Sequence, residues 1–71
     1  MSKVAVSQLD FEKRLSLLAY LDVTNDELDD RPDGAWQAEM EDAATNYMKG
    51  VHGVEVDGFD AWSFWLERRS T

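Results

Sequence analysis

The sequence predicts a small all-α domain of three helices joined by short connections, and three observations support this prediction. The chain has 71 residues and no cysteine, so we expect one domain over residues 1–71 that folds without disulfides. Apolar side chains recur at helical spacing from Trp36 to Val51. Capping residues and glycine-containing connections separate this stripe from apolar segments on both sides. The expected helices cover residues 7–22, 34–49 and 58–68.

The first predicted helix covers residues 7–22. Ser7 followed by Asp10 is an N-cap signature, and acidic residues in the first turn suit the helix dipole. Apolar residues on one face stand at i, i+4 and i+7, and they are Phe11, Leu15 and Leu18. Two β-branched residues and an asparagine over Val23–Asn25 predict the end of this helix. Residues 24–32 are then expected to form a loop or a single helical turn.

The second predicted helix, residues 34–49, has the clearest pattern in the chain. Asp33 is a suitable N-cap, and Gly50 is a natural residue just after the helix. Its apolar side chains form one stripe, made of Trp36, Met40, Ala43, Ala44, Tyr47, Met48 and Val51. Glu39 and Asp42 lie on the opposite side. This face should therefore be exposed to solvent.

The third predicted helix, residues 58–68, begins after the cap Asp57 and carries most of the large rings. Phe59, Trp62 and Leu66 share a face at helical spacing, so they are expected to pack into the core. The full predicted core consists of Leu15, Leu18, Trp36, Met40, Tyr47, Trp62 and Leu66. An alternative is an α+β fold in which Val4–Val6 pairs with Val54–Val56 as a minimal strand pair.

The charge of the chain is concentrated in its centre. The net charge is −8, and residues 22–42 carry nine acidic side chains against one arginine. Residues 1–21 have three basic and two acidic side chains, and residues 43–71 have three basic and four acidic ones. The central block repels nucleic acid and anionic membranes and attracts basic surfaces. We therefore expect neither direct nucleic-acid binding nor membrane binding.

The acidic block has two interpretations, a solubilising surface or an interface for a partner. As an interface it predicts a regulator or inhibitor that docks on a basic surface of another protein, such as a nucleic-acid-binding protein, and imitates nucleic acid. The candidate contact residues on this acidic face are Asp26, Glu27, Asp29, Asp30, Asp33, Glu39 and Asp42.

An aromatic and basic patch is the second candidate interface. Phe64 points away from the predicted core face of the third helix, with Trp65 at the edge of that face and Arg68 in the last turn. Exposed rings beside arginine are typical of protein interfaces. The alternative function is therefore a structural or assembly subunit that forms a homodimer through this helix.

Enzyme and cofactor chemistry is not expected. His52 is the single histidine and there are no cysteines, which excludes multi-histidine and thiolate metal sites. The segment Asp22–Asp33 superficially resembles a calcium loop, but it has Glu27 where the turn needs glycine and Asp33 where the site needs a bidentate glutamate. No nucleophile elbow or phosphate-binding loop occurs. We expect no catalytic residue, no metal and no cofactor.

No apolar run is long enough for a membrane span, and the N-terminal residues lack the apolar stretch of a secretory signal, so a cytoplasmic location is expected. A cysteine-free, acidic mini-domain with no catalytic motif resembles the small accessory inhibitors that phages use against host defence or transcription. This resemblance lies in composition alone and assigns no role to any residue. It implies an inhibitor acting in the host cytoplasm if the chain is phage-encoded.

Overall fold

A computed structural model describes residues 3–28 and 35–70 and confirms the predicted all-α fold. A 3₁₀ turn at Val6–Gln8 precedes helix α1, Phe11–Glu27. Helix α2, Trp36–Tyr47, continues into a π-helical segment, Met48–His52, and helix α3 covers Gly58–Ser70. Helix α2 is the central element, because both α1 and α3 pack against it. The predicted start of the second helix at residue 34 lies outside the described residues.

Helix α1 is shifted along the chain relative to its prediction. Ser7 lies in the 3₁₀ turn, and Asp10 is the residue that precedes the first helical turn. The Lys13 ammonium, 3.2 Å from Asp10 Oδ2, holds the pKa of the Asp10 carboxyl below its usual range. At the other end the helix continues through Thr24, whose hydroxyl donates to Tyr20 O at 2.9 Å. The prediction that Val23–Asn25 ends the helix was wrong, since a helix tolerates β-branched residues when tertiary packing favours it.

The end of α2 differs from the prediction because the helix widens. In a π-helix the backbone bonds reach residue i−5 instead of i−4, which changes the direction of every later side chain. Val51, expected on the apolar stripe, is 61% exposed for this reason. The residue that ends the segment is Gly53, with a left-handed φ of 65° and its N–H bonded to Met48 O. Gly50, predicted to have that role, lies inside the π-helical segment.

The core contains fully or largely buried apolar side chains from every element: Val6, Leu9, Leu17, Leu21, Met40, Ala44, Met48, Val56, Ala61 and Trp65. Of the predicted core, Met40 is fully buried, and most of the other members are partly buried against this cluster. Leu15 is 49% exposed and Phe59 56% exposed, so their placement in the core was wrong. Helix α1 has apolar residues on several faces, and the face that it buries carries Leu17 and Leu21.

The alternative strand pair is reduced to one contact. Val4 and Val56 form an isolated parallel bridge, and Val4 N–H donates to Glu55 O at 2.8 Å. The pairing stops there because the chain turns into the 3₁₀ helix at Val6, whose N–H donates to Asp60 Oδ2 at 2.8 Å. The Asp60 carboxylate on α3 thus takes the place of the backbone carbonyl that would accept the next hydrogen bond in a sheet.

Two glycines at the end of α2 provide a matched test of this geometry. Replacing Gly53 by alanine should destabilise the fold by about 1–2 kcal/mol, because a left-handed backbone conformation is unfavourable for a residue with a Cβ atom. Gly50→Ala is the control, since an added Cβ there would meet no atom within 4 Å. Urea denaturation of both variants measures the difference. Equal stability of Gly53→Ala and the wild type would contradict the left-handed end of the π-helical segment.

Candidate functional site

Two tryptophan side chains hold the C-terminal half of α1 in position. Trp36 Nε1–H on α2 donates to Asn25 Oδ1 at 2.8 Å, and Trp65 Nε1–H on α3 donates to Asp22 Oδ1 at 2.8 Å. The two indole rings also contact each other, with centroids 6.1 Å apart. The acceptors Asp22 and Asn25 are three residues apart and therefore neighbours on one helix surface. The contacts fix the part of α1 that leads into the acidic block.

The predicted acidic face is partly displayed at this end of α1 and along α2. Asp26 and Glu27 are exposed in the last turn of α1, and Asp42 is exposed on α2. Glu39 is half-buried. The remaining predicted contact residues, Asp29, Asp30 and Asp33, lie outside the described residues. We define the acidic surface as Asp26, Glu27, Glu39 and Asp42.

The location of Asp26 and Glu27 is unfavourable for the helix that carries them. The C-terminal end of a helix has a partial negative charge, which favours basic side chains and disfavours acidic ones. The last turn of α1 contains no basic residue. Two acidic side chains in this turn therefore add to the negative potential of the helix end instead of neutralising it. The result is a concentrated negative potential on the surface.

Several acidic side chains outside the acidic surface have partners within the fold. Asp10 pairs with Lys13 at 3.2 Å and Asp57 pairs with Lys3 at 3.7 Å. Glu41, next to Asp42 in sequence, accepts a hydrogen bond from Gln37 Nε2 at 2.7 Å. These three carboxylates therefore have partners within the fold.

The predicted aromatic and basic patch does not form as expected. Trp65 is 1% exposed and belongs to the core, so its assignment as a contact residue was wrong. Phe64 is half-buried against the core, which also corrects the expectation that its ring is exposed. The physical reason is the direction in which α3 faces α2: Ala61 and Trp65, four residues apart, form the buried face. Trp62 lies beside it and contacts Trp36 edge-on at 5.8 Å.

The two arginines of α3 cover these rings on the outside. The Arg68 guanidinium lies 5.2 Å from the centroid of Phe64, and that of Arg69 lies 5.1 Å from the centroid of Trp65, both in cation–π range. Arg68, Arg69 and Trp65 line an open groove of about 210 Å³ together with Leu18 and Asp22 of α1. The C-terminal end of α3, which carries these two arginines, therefore borders an open groove beside α1.

A polar cluster that the sequence did not predict joins α1 to the end of α2. Ser16 Oγ lies 2.5 Å from Tyr47 Oη and 3.1 Å from His52 Nε2. The Tyr47 ring stacks on Tyr20, with centroids 4.1 Å apart, and lies nearly perpendicular to the His52 ring, with centroids 5.7 Å apart. The His52 side chain is partly buried. The spacing of five residues between Tyr47 and His52 matches a π-helix, which sequence periodicity at 3.6 does not detect.

A serine hydrogen-bonded to a histidine can support nucleophilic catalysis when a pocket, an orienting group and an oxyanion site accompany it. Ser16 lies in the middle of α1, and its hydroxyl is shared with Tyr47. The groove at Trp65 and a second one, between Lys3 and Lys49, are lined by other residues. The cluster joins α1 to the end of α2 and the π-helical segment through these hydrogen bonds.

The described residues also give two results on metals and membranes. Over residues 3–28 and 35–70, no three histidine, aspartate or glutamate side chains come close enough together to hold a metal ion. In the same part of the chain, no helix has the length and apolar character needed to cross a bilayer.

Comparisons with known proteins give no match: no family model, no curated protein and no solved structure is similar to the chain at a significant level. The class that the fold defines is a small all-α domain.

The polar cluster is tested by removing one hydroxyl at a time. Tyr47→Phe keeps the stacked ring but removes the bond to Ser16, so the free energy of unfolding should fall by about 0.5–1.5 kcal/mol. Tyr20→Phe is the matched control, because it changes the other ring of the stack and leaves the cluster intact; its effect should be close to zero. Thermal unfolding of both variants and the wild type measures the two effects. Equal effects of the two substitutions would contradict the structural role of the cluster.

Proposed function

We propose that this chain is a small regulatory or inhibitory protein that docks its acidic surface on a basic surface of a partner protein. The observation that carries the proposal is the pair Asp26 and Glu27, exposed in the last turn of α1 without a basic residue in that turn. Acids at that position oppose the helix dipole. Their presence is better explained by an intermolecular role than by a contribution to folding.

The distribution of charge supports the same proposal. A surface that serves only solubility does not need its charges in one place, whereas residues 22–42 hold nine acids and one arginine. Asp26 and Glu27 belong to a helix that Trp36 and Trp65 hold through Asn25 and Asp22. Because the helix is already held in place, little backbone freedom is lost on binding, which favours affinity.

The partner that fits is a protein whose basic surface normally binds nucleic acid. A cluster of carboxylates attracts the same lysine and arginine side chains that bind phosphates, and it accelerates the encounter through long-range attraction. The same charge disfavours direct binding to nucleic acid or to anionic membranes. In this proposal the protein acts without catalysis or cofactor in the cytoplasm, the host cytoplasm if it is an accessory protein of a phage.

Self-association through the aromatic side of α3 is the alternative function, and the structure favours it less. Such an interface would need exposed rings. Trp65 is in the core, its ring is covered by Arg69, and Phe64 is half-buried beneath Arg68. Among the described residues of α3, Phe59 is the ring that remains mostly exposed, at 56%.

The proposal is tested by neutralising the exposed members of the acidic surface. The triple variant Asp26→Asn, Glu27→Gln and Asp42→Asn should fold normally, because these side chains are exposed. The immobilised wild type should retain a basic protein from an extract of the source cells or their host, and salt should release it. The triple variant should retain at least about tenfold less at low salt, mainly through a slower association rate.

A charge-matched control separates this effect from the overall charge. The control variant combines Glu12→Gln, Glu55→Gln and Glu67→Gln. It removes the same number of negative charges, three, from residues outside the acidic surface, and it should bind like the wild type. Equal retention of the partner by the Asp26, Glu27 and Asp42 variant and by the wild type would reject the proposal. Retention only of proteins without a basic surface would reject it as well.

A further inference from the structure

The two tyrosines of the chain lie face to face, one on each of two helices. Tyr20 and Tyr47 are the only tyrosines in the sequence, and they belong to α1 and to the end of α2. Their ring centroids are 4.1 Å apart, and the ring planes differ by 12°. Aromatic pairs in proteins commonly have their centroids about 4.5–7 Å apart, so this stack is a close one. The two ring faces are therefore in direct contact.

A hydrogen-bonded path leads from the Tyr47 hydroxyl to an imidazole. Ser16 Oγ lies 2.5 Å from Tyr47 Oη and 3.1 Å from His52 Nε2. In the tautomer whose Nε2 carries no proton, Tyr47 donates to Ser16 and Ser16 donates to His52. A phenol that loses an electron also releases its hydroxyl proton, and a positioned imidazole base accelerates such a proton transfer. The path thus favours Tyr47 as a ring from which an electron is removed.

The other ring of the stack connects this pair with the solvent. Tyr20 is 36% exposed, whereas Tyr47 is half-buried. A small oxidant in solution can therefore reach the Tyr20 ring and remove an electron from it, and Tyr47 can replace that electron across the stack. One ring is accessible to an oxidant, and the other has a base for its proton.

We propose that Tyr20 and Tyr47 form an oxidative cross-linking site, at which a one-electron oxidant joins the two rings through a carbon–carbon bond. The oxidant is of the class of photo-oxidised metal complexes or the ferryl haem of a peroxidase. Each phenol gives one electron to the oxidant and releases one proton, that of Tyr47 through Ser16 to His52 and that of Tyr20 to water.

The two tyrosyl radicals then couple at ring carbons next to the carbons that bear the hydroxyl groups. Each coupled carbon loses its hydrogen as a proton, and each oxygen regains a proton. The product, a dityrosine, has therefore lost two hydrogen atoms, and the oxidant has gained two electrons. Because the rings are already in contact, this bond forms within one molecule and is favoured over a bond between two molecules.

A covalent bond at this place has a clear consequence for a domain of this size. The chain has 71 residues and no cysteine, so it has no disulfide that limits the freedom of the unfolded state. A bond between Tyr20 and Tyr47 joins α1 to α2, and the whole acidic surface lies between the two tyrosines in sequence. The cross-link therefore holds together the two helices that carry this surface. The inference itself does not depend on the proposed function, because its test measures a covalent product.

Photo-oxidation of the full chain with tris(bipyridine)ruthenium(II) and persulfate tests the proposal. Light generates the ruthenium(III) oxidant, and persulfate takes up the two electrons as it becomes two sulfate ions. The wild type should give dityrosine fluorescence and a monomeric product lighter by two hydrogen atoms, in which peptide mapping finds Tyr20 bonded to Tyr47. Oxidised methionine gains an oxygen atom and is distinguished by its mass. On about tenfold dilution the yield of this product should stay constant, whereas covalent dimers become fewer.

Two comparisons separate the effect of the geometry from the mere presence of two tyrosines. The chain unfolded in urea keeps both tyrosines but loses their contact, and it should form the intramolecular bond at least about tenfold more slowly. Ser16→Ala keeps the stacked rings but interrupts the proton path, and it should slow the bond by about tenfold or more. Ser16→Thr retains a hydroxyl and should restore most of the rate. His52→Gln removes the base and should act like Ser16→Ala, and circular dichroism checks that each variant is folded.

The proposal is overturned if the folded wild type gives covalent dimers but no monomeric product with a bond between Tyr20 and Tyr47. It is also overturned if the unfolded chain forms this bond as quickly as the folded chain does. Rates equal to that of the wild type in both Ser16→Ala and His52→Gln would overturn its proton-transfer step.

Discussion

The hydrogen bond from Trp65 Nε1–H to Asp22 directly connects α3 with α1, the two helices that both pack against α2. It joins α3 to α1 at 2.8 Å, and the Trp36–Asn25 bond joins α2 to the next turn of α1. A bond to a charged acceptor contributes about 1.5–3 kcal/mol, a large share of the about 5–15 kcal/mol that separates folded from unfolded domains. Asp22 thus serves the fold, although it belongs to the acidic block in sequence. The acids beyond it in α1 remain on the surface.

The sequence predicted the elements better than the faces that they bury. The stripe on α2 was correct through Met48, because a strict 3.6-residue period with polar residues opposite leaves one orientation. Helix α3 has two faces with apolar residues at helical spacing, Phe59–Trp62–Leu66 and Ala61–Trp65. The close approach of α3 to α2 decides which of these faces is buried. Gly58 indicates that approach, since a Cβ there would lie 2.9 Å from Glu41 Cβ. Sequence periodicity contains no information on such a distance.

The sequence predicted where the charge of the candidate site lies but not the contacts that hold its residues in position. Composition alone located the acids between residues 22 and 42, and Asp26, Glu27 and Asp42 are exposed as expected. The extension of α1 to Glu27, which places two of these acids against the helix dipole, depends on tertiary contacts that no local signal predicts. The Ser16–Tyr47–His52 cluster depends on the π-helical segment and was missed for the same reason. Helix α1 therefore has three surfaces, one for the core, one acidic, and one apolar.

The most direct measurement of this arrangement is hydrogen exchange of the three indole N–H groups by NMR. The Trp65 proton, donated to Asp22 in a side chain that is 1% exposed, should exchange as slowly as the most protected amides of α2, because both require global unfolding. In Asp22→Ala it should exchange faster, while the Trp36 proton, bonded to Asn25, should change less. A Trp65 proton that exchanges in the wild type as rapidly as an exposed indole would contradict the account.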